Sequence, residues 1–96
     1  MSDIARDKQF YELADAHIAL ANTRMGEVKL AKMSAALLFA AARFNAFAIS
    51  AISASAESKA QMLLEKEAAI AYFMQEYEKN LRENIDEHLA RYSENA

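Results

Sequence analysis

A single glycine and no proline in 96 residues leave this chain few places to turn. Tight turns draw on Gly, Pro, Asn and Asp for their backbone angles, and strand-rich folds need a turn every few residues. A chain so poor in breakers is expected to form a few long elements. Ala, Leu, Glu, Lys, Gln, Arg and Met fill most positions, and these residues lose least on entering a helix. The fold expected from this is all-α.

Hydrophobic periodicity divides the chain into three segments. The first helix is expected over about Arg6–Thr23, with Ser2 or Asp3 as its cap. Phe10, Tyr11, Leu13, Ala14, His17, Ile18 and Ala21 recur at helical spacing and form one stripe. Gly26 follows the end of that stripe and reads as the left-handed residue just past a helix C-terminus. A second helix is expected from about Glu27 to Ser53. The stretch Ser53–Ser58 reads as the next break, and Ser58 with Gln61 has the capping-box spacing. A third helix then begins at about Lys59. Its stripe is Leu63, Ile70, Met74, Tyr77, Leu81, Ile85, His88 and Tyr92, and Glu78–Arg82 and Glu87–Arg91 are spaced as ion pairs on its polar side. One domain covering 1–96 is the expected organisation.

Helix 2 is the unusual element. From Ser34 to Ile49 apolar residues occupy every side, and only Arg43 and Asn45 are strongly polar. A helix that is apolar all round belongs in the middle of a protein or in a membrane. The apolar run 34–54 is long enough to span a bilayer. Arg43 sits near its midpoint, where insertion costs about 2.5–3.5 kcal/mol or more. No aromatic belt flanks the run, so burial within protein is the expected state, with no membrane partner.

Net charge is −3 and Lys and Arg are interleaved with acids. Nucleic-acid binding requires a concentrated cationic face, so no nucleic-acid partner is expected. The absence of cysteine removes disulfides, thiolate nucleophiles and Cys-based metal sites. One glycine excludes glycine-rich phosphate loops. Neither His17 nor His88 has a Glu three residues before it, as helical carboxylate metal sites require. No catalytic, cofactor-binding or metal residue is assigned, and the reading leans away from an enzyme. The polar N-terminal segment lacks an apolar signal core, which makes the cytoplasm the expected location.

Arg43 and Asn45, with His17 and Tyr77, form the candidate polar core or ligand site. An isolated buried charge is expensive, so Arg43 is expected to pair with a carboxylate and Asn45 to bond internally. The alternative is a protein that binds a small molecule or anion in a pocket around Arg43 and Asn45.

The block Ser34-Ala-Ala-Leu-Leu-Phe-Ala-Ala-Ala-Arg43-Phe-Asn45-Ala-Phe47 resembles a family of short proteobacterial proteins known only as a domain of unknown function. Phe10–Asp15 with Ile18, Ala21 and Asn22 resembles that family's opening segment. Tyr72, Phe73, Tyr77, Leu81 and Asn84–Asp86 resemble its closing segment. The sequence departs from the pattern over Thr23–Met33. The resemblance implies a bacterial cytosolic protein and supplies no activity.

Helix lengths indicate how the core is completed. At 1.5 Å per residue the expected helices span about 27, 40 and 50 Å. The first covers about two-thirds of the second, leaving Phe47, Ile49 and Ile52 without a second covering helix. The expectation is therefore a three-helix antiparallel bundle with a short first and a long third helix, completed as a homodimer. Another helical protein is the alternative partner. The corresponding function is a structural or protein-interaction module.

Overall fold

A computed structural model describes residues 4–52 and 59–94. Three α-helices occupy them: α1, Lys8–Thr23; α2, Leu30–Ile52; and α3, Lys59–Glu94. No strand occurs among the described residues. The expected all-helical class and helix number hold, and the differences lie at the ends.

α1 starts two residues later than the stripe indicated. Asp7 is its cap: its backbone is extended (φ −87°, ψ −175°) and its carboxylate accepts from the Phe10 backbone N–H at 2.9 Å. This satisfies one of the helix's four unpaired N–H groups and places an anion at the positive end of the dipole. The expected caps Ser2 and Asp3 lie outside the described residues.

Gly26 does not adopt a left-handed conformation, since no described glycine has positive φ. Consecutive three-residue turns replace it: Arg24 N–H donates to Ala21 O at 3.1 Å, Met25 N–H to Asn22 O at 3.3 Å and Glu27 N–H to Arg24 O at 3.0 Å. These bonds consume the last carbonyls of α1 with φ kept negative. The Thr23 hydroxyl also donates to Leu20 O at 2.6 Å. The same turns occupy Arg24–Val28, so α2 begins at Leu30 rather than Glu27; Lys29 O accepts from Lys32 and Met33, each at 3.1 Å. The expected break at Ser53–Ser58, with its capping Ser58, lies outside the described residues, whereas Lys59 does begin α3.

The residues group into two compact units, 1–50 and 51–96. The first holds α1, the turn and α2 as far as Ser50. The second holds α3. Measured along their axes, α1, α2 and α3 run about 24, 35 and 54 Å.

Burial is sparse. α1 has no buried residue, and Ala69, at 7% exposure, is the buried hydrophobic residue among those described. Phe39, Phe44 and Phe47 on α2 are all more than 60% exposed. The apolar stripe of α3 is open as well, from Leu63 to Tyr92. Local helix propensity, caps and exposed i,i+4 pairs such as Lys8–Glu12 and Glu78–Arg82 account for the helices themselves. They do not cover these faces.

Candidate functional site

An open cleft of about 480 Å³ lies where α1, the turn and α2 meet. Its walls are largely apolar, with Leu20, Val28, Met33 and Leu37 among them, and Ala21, Ala36 and Ala40 make it wide. Small side chains on two adjoining helices leave space that larger ones would fill. Three cationic or imidazole side chains also line it: His17, Arg24 and Lys32. The Arg24 Nε–H donates to Glu27 Oε2 at 2.8 Å, which neutralises that part of the cleft. His17 Nδ1 lies 2.7 Å from Leu13 O. A carbonyl can only accept, so Nδ1 is the donor in this contact.

Of the residues singled out from sequence, His17 alone lines this cleft. Arg43 is exposed. Its guanidinium lies 5.7 Å from the centroid of the Phe39 ring, and it makes no ion pair with a described residue. An exposed guanidinium keeps its water while its stem and plane lie across the aromatic ring one turn earlier. Asn45 is half-buried. Two residues along a helix is about 200° of rotation, so Arg43 and Asn45 lie on nearly opposite sides of α2. Tyr77 is an exposed member of the α3 stripe. Of the interface candidates, Phe47 is 68% exposed and forms a tilted ring pair with Phe44 at 6.2 Å. Ile49 is half-buried, and the Ile52 side chain lies outside the described residues.

Two charged residues that matter here are not conspicuous in a reading for apolar stripes. Lys32 lies eleven residues before Arg43, on the same side of α2, which carries no acid along its length. Glu67 interrupts the α3 stripe: Leu63, Glu67, Ile70, Met74, Tyr77 and Leu81 alternate spacings of four and three. This is the pattern of a helix seam with one charge inside it. Glu67 is exposed and, like Arg43, makes no ion pair with a described residue. α3 as a whole holds eight acids against five bases. One further carboxylate oxygen, Glu65 Oε2, is buried without a hydrogen-bond partner.

No group of three or more His, Cys, Asp or Glu side chains gathers at metal-binding distance among the described residues. Residues Leu30–Ala51 of α2 are long and apolar enough to cross a membrane by length and composition.

A family model for a protein of unknown function, DUF3144, matches residues 10–89. The chain belongs to the DUF3144 family. The match spans the α1–α2 cleft, the whole of α2 and α3 as far as Leu89, so the cleft, Arg43 and Glu67 all lie on the matched segment. No curated protein and no solved structure matches the chain.

Proposed function

We propose that this DUF3144 member is a self-associating helical interaction module of the bacterial cytoplasm, working as a homodimer that completes an antiparallel bundle. The observation that carries this reading is the open apolar surface of α2, where Phe39, Phe44 and Phe47 stand exposed and Phe44 packs beside Phe47. A continuous apolar patch of that kind is uncommon on a soluble monomer and marks an interaction surface. A closed two-fold pairing lets one surface cover itself. The absence of a gathered metal-ligand set among the described residues gives no support to a metal-dependent activity.

The interface under this reading includes Phe47, Ile49 and Ile52. Phe47→Glu places a charge in that interface and is expected to convert the dimer to monomer in sedimentation velocity, with helix content retained. A Phe47→Glu protein that sediments as the wild type does would remove α2 from the interface.

A further inference from the structure

Each of the two long helices presents an open apolar face with a charge at its centre, and the two central charges are opposite. On α2, Arg43 stands among Ala36, Phe39, Ala40, Ala46 and Phe47. On α3, Glu67 stands among Leu63, Ile70, Met74 and Tyr77. Both charged side chains are exposed, and neither pairs with a described residue. The surroundings of each repeat the asymmetry: α2 carries cations and no acid, and α3 carries an acidic excess.

We propose that the α2 face centred on Arg43 docks against the α3 face centred on Glu67 of a second copy of this chain, the two charges forming a reciprocal ion pair across the dimer. The proposal rests on the self-association reading and specifies its surfaces. A purely apolar partner on the α2 face would strand the Arg43 charge without water or counter-ion, which is costly. A lipid interior would do the same at the middle of the helix. The fitting occupant is an apolar helix with a single carboxylate, and this chain itself presents one. Because every copy has one face of each sign, a two-fold axis satisfies both at once: α2 meets the partner's α3, and α3 meets the partner's α2. A lone charge pair inside an apolar helix seam also fixes register, since any slip buries two unmatched charges.

The test is a charge exchange between chains, read as the dimer dissociation constant by sedimentation equilibrium. Arg43→Glu and Glu67→Arg each set like charges together twice in their own homodimers, and each is expected to weaken association by roughly tenfold or more. Mixing the two variants creates a heterodimer in which both contacts are again opposite in charge. Its dissociation constant is expected to return to within about threefold of the wild type. Circular dichroism of each variant is the control for folding, and a variant that loses helix alone but regains it on mixing also supports the pairing. If both variants associate like the wild type, the Arg43–Glu67 pairing is wrong while self-association stands. If the double variant recovers but the mixture does not, the pair forms within one chain and the proposal is overturned. A wild type that is monomeric throughout overturns both this proposal and the reading beneath it.

Discussion

Arg43 lies over the ring of Phe39, 5.7 Å from its centroid and one helical turn along α2. The stack lets a permanently charged side chain occupy an apolar helix without a carboxylate beside it. The contribution is modest, of the order of 0.5–1 kcal/mol at an exposed site. The guanidinium makes no ion pair with a described residue, so its donors can serve an acid on a partner.

Gly26 provides a test of the turn. Its φ is not positive, and a β-carbon added there meets nothing within 4 Å. Gly26→Ala is therefore expected to be neutral or to stabilise by up to about 1 kcal/mol, because it restricts the unfolded chain without straining the folded one. Thermal melting followed by circular dichroism checks this. A loss of stability would restore the left-handed turn that the sequence suggested.

Asp7 is expected to matter more than its exposed position implies. Its carboxylate accepts from the Phe10 N–H at the start of α1, and removing such a cap costs about 1 kcal/mol. Asp7→Ala should lower the melting temperature by several degrees, and Asp7→Ser should recover most of the loss. Equal effects of the two substitutions would show that the capping bond contributes nothing.

The helix number and the start of α3 were legible because apolar spacing and breaker scarcity act locally. The α1–α2 junction was misread for an equally local reason. Gly26 permits a left-handed turn, but the Thr23 hydroxyl and the bonds from Arg24, Met25 and Glu27 satisfy the helix end without one. The candidate site was less legible. The apolar neighbours of Arg43 point to burial, but they produce it only where another surface covers them, and covering is a property of tertiary or quaternary packing. Glu67 is inconspicuous in the sequence because a stripe is defined by its apolar members and not by the charge that interrupts them. The cleft at the turn depends on Ala21, Ala36 and Ala40 facing one space, which no single-helix pattern reveals.

The location of α2 is open to direct measurement. Leu30–Ala51 has the length and composition of a span, but Arg43 lies near its middle and favours a protein partner over lipid. On fractionation the protein is expected with the soluble material. Recovery in membranes that resists a high-salt wash would instead assign α2 to the bilayer.

The central claim is that the open apolar faces are closed by a second copy. Light scattering of the wild-type protein across the micromolar range, after size exclusion, tests it most directly. The account predicts a species of twice the 10.7 kDa chain mass, with a monomer emerging only on dilution. A single species at 10.7 kDa at every concentration would contradict it.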